Sequence, residues 1–234
     1  MILALDVPSL TEAEDLMEEL SGSVGMVKIG MELFTSMGPA AVELARSMGY
    51  GVMLDLKYKD IPNTVAGAVR EAGGLGVRML TVHADGGPDK LEAAAEAAGG
   101  GVLTLAVTVL TSISEDSLRL LGVPGGVQNR VRHLARIAAD CGITGVVCSP
   151  LETGTVKALR SGLVVVNPGI RPDFAAPGDQ RRYTTPRQAA LSGADFIVVG
   201  RPIRQPPEGI SPTKAARMIS EEFAGGLDER RARA

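Results

Sequence analysis

The chain has 234 residues, of which 45% are hydrophobic and 22% are charged, and its formal net charge is −3. These values are ordinary for a globular protein with one buried core, and the small acidic excess gives no basic footprint for nucleic acid. No apolar run approaches the roughly 20 residues needed to span a bilayer, so we expect no membrane segment.

Short apolar runs of the β type alternate with longer helical patterns along the whole chain. The predicted strands are Ile2–Asp6, Met26–Gly30, Gly51–Lys57, Val77–His83, Val102–Val109, Thr144–Cys148, Leu163–Asn167 and Asp195–Gly200. The predicted helices are Leu10–Leu20, Pro39–Met48, Thr64–Ala72, Asp89–Ala98, Val127–Cys141, Leu151–Arg160, Pro186–Leu191 and Thr213–Phe223. Helix-starting residues such as Ser9 and Pro186, and helix-ending glycines such as Gly142, fall at the ends of these patterns.

Eight strand–helix units with near-continuous apolar strands indicate an α/β protein with a parallel sheet. Eight units in one domain of this length favour a closed (β/α)8 barrel over residues 1–224. The alternative is a doubly wound open sheet, but neither the Gly-x-Gly-x-x-Gly loop nor the Gly-Lys-Ser/Thr loop of that class is present. Residues 225–234 are highly charged, and we expect them to form a disordered tail.

The cysteines and the start of the chain indicate a cytoplasmic protein without a metal site. Cys141 and Cys148 match no metal-binding spacing and are expected to be buried, reduced thiols. His83 ends a predicted strand without visible metal-binding partners, which favours a packed histidine. Because the first predicted strand begins at Ile2, we expect no signal peptide.

An acidic and a basic residue end the third predicted strand. Asp55 and Lys57 follow the apolar run 51–54, and side chains two positions apart on a strand point to the same side of the sheet. Asp60 adds a third charge before Pro62 begins the next helix. Ionised groups at the end of a buried strand are costly to remove from water. Residues 55–64 therefore predict a site that takes part in a chemical reaction.

Other polar residues also fall at the C-terminal ends of predicted strands, which is where the active sites of this fold lie. Asp6 and Lys28, on neighbouring strands, would by themselves be explained as a buried ion pair. Together with Asp55 and Lys57 they form a row of alternating charges, which favours a functional site. The remaining strand ends offer His83, Asp85, Thr111, Ser112, Ser149, Arg171 and Arg201.

The loops after strands seven and eight predict a phosphate site. Arg171 follows a Gly-Ile pair in the first loop, and Arg201 follows Gly200 in the second. Glycine lets backbone N–H groups approach an anion, and a guanidinium adds a two-pronged contact. One such arginine would be a solvated loop residue, whereas two on adjacent loops favour an anion site. The long segment 171–183, which contains Gln180, is either a plain surface loop or a lid over the barrel mouth.

These residues closely resemble the orotidine 5′-monophosphate decarboxylase family over essentially the whole chain. The family's most specific signature, Asp-x-Lys-x-x-Asp-Ile-Pro-x-Thr, stands here as Asp55 to Thr64. Its other motifs occur in the family's order as Leu5-Asp6-Val7, Lys28-Ile29-Gly30, Thr81-Val82-His83-Ala84, Val109-Leu110-Thr111-Ser112, Asn167-Pro168-Gly169-Ile170-Arg171-Pro172, Gly178-Asp179-Gln180 and Val199-Gly200-Arg201-Pro202-Ile203. Asp85 is a departure, because relatives commonly have a smaller residue there.

The resemblance implies a homodimer of barrels with shared active sites, which decarboxylates orotidine 5′-monophosphate to uridine 5′-monophosphate without metal or coenzyme. It implies that Lys57 is the proton donor, that Asp55 lies against the departing carboxylate, and that Lys28 holds Asp55 and a ribose hydroxyl. The other implied contacts are Asp6 to the ribose, Asp60 and Thr64 to the partner's site, Thr111 to the pyrimidine edge, Gln180 between base and phosphate, and Arg171, Gly200 and Arg201 to the phosphate.

Two other functions remain open. A sister group of sugar-phosphate decarboxylases and aldolases shares Asp-x-Lys-x-x-Asp on the same barrel and uses magnesium. That group generally has an acidic residue where Lys28 stands and lacks the Ile-Pro-x-Thr continuation. A non-catalytic nucleotide-binding barrel would keep the phosphate site but would not need Asp55, Lys57 and Asp60. The resemblance therefore favours the decarboxylase.

Overall fold

The structure, a computed structural model, describes residues 1–159, 162–175 and 182–233. Its eight strands, β1 to β8, are Ile2–Ala4, Met26–Gly30, Gly51–Tyr58, Met79–His83, Leu103–Val107, Gly145–Val147, Val164–Asn167 and Phe196–Val199. Each strand pairs in parallel with the next, and β8 pairs with β1, which closes the barrel. The prediction of a (β/α)8 barrel is confirmed, and the open sheet is excluded.

The described residues form eleven helices, α1 to α11: Leu10–Glu19, Met31–Met37, Pro39–Ser47, Pro62–Gly74, Pro88–Ala98, Glu115–Leu120, Gly126–Asp140, Thr153–Leu159, Pro186–Ser192, Arg201–Arg204 and Pro212–Arg233. The sequence did not predict α2, α6 and α10. Helix α2 was missed because it follows β2 without a loop and ends at Gly38, where a φ of 59° separates it from α3. None of the described helices combines the length and apolar character that a membrane crossing requires.

Side-chain alternation along the strands decides which residues meet at the barrel mouth. The interior is filled by Ile2, Ala4, Met53, Met79, Leu105, Val166 and Val198. Because Ala4 and Met53 point inward, Asp6 and Asp55, two residues further on, lie on the same side above this core. Lys28 pairs in register with both Ala4 and Met53. The fold thus brings three charged residues to one end of the barrel.

The C-terminal segment differs from the prediction of a disordered tail over residues 225–234. Helix α11 continues to Arg233. The Arg230 guanidinium donates to the carbonyl oxygens of Ala190 and Ala194, at 3.0 and 3.3 Å. These contacts with a distant part of the chain hold the helix, and they are not visible in the local charge pattern from which the tail was predicted.

Both cysteines are packed in the interior, as expected. Cys141 and Cys148 are free and buried. Burial raises the pKa of the Cys148 thiol to about 12. This thiol therefore stays protonated and unreactive at neutral pH.

Candidate active site

Four charged side chains form a row across the C-terminal mouth of the barrel. Lys57 Nζ lies 3.0 Å from Asp55 Oδ1, and Lys28 Nζ lies 3.5 Å from Asp55 Oδ2. Lys28 also donates to Asp6 Oδ1 at 3.1 Å. Gly30 leaves room for Lys28, because a Cβ at that position would lie 3.0 Å from the ammonium. The structure thus brings together the four charges of the row that the sequence predicted.

Lys57 reaches Asp55 through an irregular backbone and not through simple strand alternation. Among the described residues, it is the only one other than glycine with a positive φ, at 54°, and the β3–β4 register shifts between Leu54 and Tyr58. A left-handed backbone costs roughly 1–3 kcal/mol at a non-glycine residue, so neighbouring contacts must hold it. Thr81 provides two, since its hydroxyl accepts from the Lys57 N–H at 3.0 Å and donates to Asp55 Oδ1 at 2.9 Å.

The electrostatics of this row keep the Asp55 carboxyl ionised. Burial would by itself raise its pKa, because Asp55 is only 8% exposed. The charges of Lys28 and Lys57 and the hydrogen bonds from Lys57 and Thr81 outweigh burial and lower the pKa below its usual value. A fixed anion between two ammonium groups therefore lies at the mouth of the barrel.

A cavity of about 300 Å³ opens beside the charges. Lys28, Asp55 and Lys57 line it, and so do Thr111 and Ser112. Its apolar walls are formed by Met53, Val107, Val109, Val147 and Val198. Fixed charges act more strongly beside apolar walls than in water, because little solvent screens them. The cavity therefore suits a small ligand whose charge changes during a reaction.

A second cavity, of about 370 Å³, contains two arginines. Arg171 and Arg201 line it, and Gly200 begins the short helix that carries Arg201. Arg171 is buried, and its side chain donates to the carbonyl oxygen of Ile170 at 2.8 Å. Its backbone N–H is held by the carbonyl oxygen of Thr184 at 2.9 Å. Two guanidinium groups in one cavity are suited to a dianion such as a phosphate monoester.

Four of the predicted site residues that the structure describes line neither cavity: Asp6, Asp60, Thr64 and Gly200. Asp60 and Thr64 are exposed. Asp60 Oδ1 accepts from the N–H of the next residue, Ile61, at 2.7 Å, and Ile61 is 67% exposed. Gln180 lies outside the described residues. The segment that follows β3 thus exposes acidic and apolar side chains at the surface.

Two residues that sequence reasoning gave no role contact the charged row. Thr81 holds the backbone of Lys57, as described above. Arg204 donates from Nη1 to the carbonyl oxygen of Asp6 at 2.6 Å. The sequence signal for Thr81 was a polar residue among the apolar residues of β4. The signal for Arg204 was a second arginine one helical turn after Arg201.

A separate polar cluster lies at the end of β4. Asp85 forms an ion pair with Lys59 at 2.9 Å and lies 3.8 Å from His83 Nδ1. The buried Lys90 donates to the carbonyl oxygen of His83. Burial lowers the pKa of Lys90 to about 8, although the nearby Asp85 opposes the shift. Across the part of the chain that the structure describes, no three His, Cys, Asp or Glu residues are arranged to hold a metal ion.

The fold and the site define a barrel enzyme with a row of fixed charges beside a two-arginine cavity for an anion. The sequence model of the "Orotidine 5'-phosphate decarboxylase / HUMPS family" matches residues 1–219. The chain belongs to this family, as the motifs at its strand ends predicted.

Individual relatives agree over nearly the full length. A protein of Anaeromyxobacter sp. (strain K) named "Orotidine 5'-phosphate decarboxylase" is 48% identical, and the match covers 93% of this chain and 95% of that protein. A protein of the same name from Trichlorobacter lovleyi is 44% identical, over 97% of this chain and 96% of its own. The crystal structure of orotidine 5'-phosphate decarboxylase from Lactobacillus acidophilus is 35% identical, with a TM-score of 0.83 over 95% of this chain and 98% of that chain.

Proposed function

We propose that this protein decarboxylates orotidine 5′-monophosphate to uridine 5′-monophosphate and carbon dioxide, the last step of de novo pyrimidine nucleotide biosynthesis. The observation that carries the proposal is the Lys57 ammonium, held 3.0 Å from Asp55 at an apolar cavity. Relatives at 44% and 48% identity that bear the name of this enzyme support the same reaction. Lys28 argues against the sister group, which generally has an acidic residue at this position.

Lys57 is the proton donor in this proposal. Loss of carbon dioxide from the pyrimidine ring leaves a carbanion with no adjacent carbonyl to absorb its charge. A fixed cation stabilises that charge well in a site with little water, because it needs no reorganisation during the reaction. The electron pair of the broken carbon–carbon bond takes a proton from the Lys57 ammonium, and the neutral amine regains a proton from solvent. Asp55 lies against the departing carboxylate and holds Lys57 in place.

The substrate is held mainly at its phosphate and ribose. The proposed contacts are Arg171, Gly200 and Arg201 to the phosphate, Asp6 and Lys28 to the ribose, Thr111 to the pyrimidine edge, and Gln180 between base and phosphate. The two-arginine cavity supports the phosphate contacts, and Thr111 lines the same cavity as the reacting lysine. Binding energy gained at the remote phosphate is then available to exclude water from the reacting carbon.

The active unit in this proposal is a cytoplasmic homodimer in which each barrel completes its partner's site. Asp60 and Thr64 would reach the partner's substrate. Their exposure, together with that of Ile61, supports a surface that a second barrel covers. Lysine and arginine side chains fill the cationic roles, so we propose no metal ion and no coenzyme.

One absorbance measurement tests the reaction. The purified protein should lower the ultraviolet absorbance of an orotidine 5′-monophosphate solution as the substrate is converted, and turnover should survive exhaustive chelation. A magnesium-dependent sugar-phosphate enzyme would leave that absorbance unchanged and would lose its own activity on chelation. A non-catalytic barrel would bind the nucleotide without consuming it. Unchanged absorbance would therefore refute the proposed function.

A further inference from the structure

Arg204 connects the phosphate side of the barrel to the charged row. It lies one helical turn after Arg201 on α10, and only 17% of its side chain is exposed. Its Nη1 donates to the backbone carbonyl of Asp6 at 2.6 Å, and its Nη2 lies 4.0 Å from Asp6 Oδ2. The buried Nε has no hydrogen-bond partner among the described residues. One guanidinium thus contacts both the backbone and the carboxylate of Asp6.

This contact extends the row from four charges to five. The other oxygen of Asp6 accepts from Lys28 at 3.1 Å, and Lys28 also lies 3.5 Å from Asp55. Asp55 in turn lies 3.0 Å from Lys57. The signs therefore alternate from Arg204 to Lys57, and each anion lies between two cations. Asp6 is the link between the helix at the phosphate cavity and the reacting lysine.

We propose that Arg204 is a positioning residue, which holds Asp6 and thereby keeps Lys28 shared between Asp6 and Asp55. The inference rests on the proposed function, because the arrangement serves the ribose contacts of Asp6 and Lys28. Without Arg204, the Asp6 carboxylate would be balanced by Lys28 alone and would draw this ammonium away from Asp55. A lysine would restore only part of the effect, because it lacks the rigid fork that makes two contacts at once.

A purely structural role is the alternative. Arg204 also lines a surface groove with Glu12, Asp15 and Glu19 of α1. These acidic residues would attract the guanidinium and hold α10 against α1. In that case the loss of Arg204 would lower stability, and its effect on activity would not depend on Asp6.

A double-mutant cycle separates the two roles, with kcat/KM for orotidine 5′-monophosphate as the readout. We expect Arg204→Gln to lower kcat/KM about tenfold in the wild-type chain but less than about twofold in an Asp6→Asn chain, because the effect passes through Asp6. Arg204→Lys should recover part of the loss. Arg230→Gln is the matched control, because Arg230 also donates to backbone carbonyl oxygens, but its acceptors Ala190 and Ala194 precede the N-terminal end of β8, away from the C-terminal mouth of the barrel. It should leave kcat/KM unchanged.

Equal losses in the two backgrounds, or no loss in the wild-type chain, would overturn the role of Arg204. A lower unfolding temperature with unchanged kcat/KM would also overturn it in favour of the structural role. Failure of the proposed function is distinguishable, because the wild-type protein itself would then not consume the substrate. In that event calorimetry would measure the Kd for uridine 5′-monophosphate across the same four proteins of the cycle. Binding of this nucleotide depends on the ribose contact but needs no chemical step.

Discussion

Lys57 turns back to Asp55, two residues earlier on the same strand, because its backbone is left-handed with a φ of 54°. The two side chains meet at 3.0 Å where the regular pairing of β3 with β4 is interrupted. Thr81, on the neighbouring strand, binds both residues through one hydroxyl. A strained backbone held by a third residue thus sets the geometry of the proposed donor before substrate arrives.

Thr81→Val tests this arrangement, because valine has nearly the same shape but no hydroxyl. The Lys57 N–H would lose its acceptor, and Asp55 would lose one of its donors. We expect the free energy of unfolding to fall by about 1–3 kcal/mol and kcat to fall about tenfold. Urea unfolding and steady-state kinetics measure the two effects.

Thr104→Val is the matched control for that substitution. Thr104 is also buried on a strand, and its hydroxyl accepts from the backbone N–H of Thr144 at 3.4 Å. We expect this variant to lose stability and to keep its kcat. If the two variants lowered kcat equally, Thr81 would have no specific part in placing Lys57.

The sequence predicted the parts of the molecule that follow from local rules. Alternating apolar runs and helix caps located all eight strands, because a buried parallel strand reads as a short hydrophobic segment. The position of Asp6, Lys28 and Asp55 at one mouth followed from strand polarity alone. These predictions required no knowledge of contacts between distant residues.

Long-range contacts account for what the sequence did not predict. The positive φ of Lys57 depends on Thr81, which is 24 residues away, and glycine or asparagine would be the usual sign of such a backbone. The bond from Arg204 to Asp6 joins residues 198 apart. Arg230 holds the helix at the end of the chain through its bonds to Ala190 and Ala194. The local charge pattern indicated only a disordered tail there. Local sequence propensities do not predict these long-range contacts.

Arg201→Ala tests the phosphate cavity. A charged hydrogen bond contributes roughly 1.5–3 kcal/mol, so we expect kcat/KM to fall at least about tenfold, mainly through weaker substrate capture. Orotidine, which lacks the phosphate, should be a very poor substrate of the wild-type protein. Arg217→Ala removes an exposed arginine of α11 and serves as the control. Equal kcat/KM values for nucleoside and nucleotide would contradict the phosphate assignment.

Mixed dimers test the proposed sharing of Asp60 between barrels. Lys57→Ala and Asp60→Asn variants should each be nearly inactive alone. When they are unfolded and refolded together, half of the dimers should be mixed, and each mixed dimer should have one intact site of two. About a quarter of the wild-type activity should therefore return. If verified mixed dimers showed no recovery, each barrel would supply its own Asp60.

Lys90 predicts a specific pH dependence of stability. Burial lowers its pKa from 10.5 to about 8 in the folded protein, so between these values the unfolded chain binds a proton that the folded chain lacks. The contribution of Lys90 to the unfolding free energy therefore rises with pH across this window, by at most about 1.4 kcal/mol per pH unit. The difference between wild-type and Lys90→Met unfolding free energies should show this rise.

The exposed Lys214 provides the control for that experiment. Unfolding in urea would be followed from about pH 7 to about pH 10.5 for the wild type, Lys90→Met and Lys214→Met. The Lys214→Met curve should run parallel to the wild-type curve. A Lys90→Met curve that also ran parallel would show that Lys90 titrates alike in the folded and unfolded chains.

Turnover in heavy water tests whether Lys57 delivers the proton that replaces carbon dioxide. Wild-type protein and Lys57→Ala would be incubated with orotidine 5′-monophosphate in heavy water, and the product would be examined by NMR, with nucleotide binding to the variant confirmed by calorimetry. We expect the wild type to form uridine 5′-monophosphate with deuterium at the carbon that lost carbon dioxide, and Lys57→Ala to bind nucleotide but form no product. An active Lys57→Ala protein, or a wild-type product without deuterium at that carbon, would contradict the role of Lys57 as the proton donor.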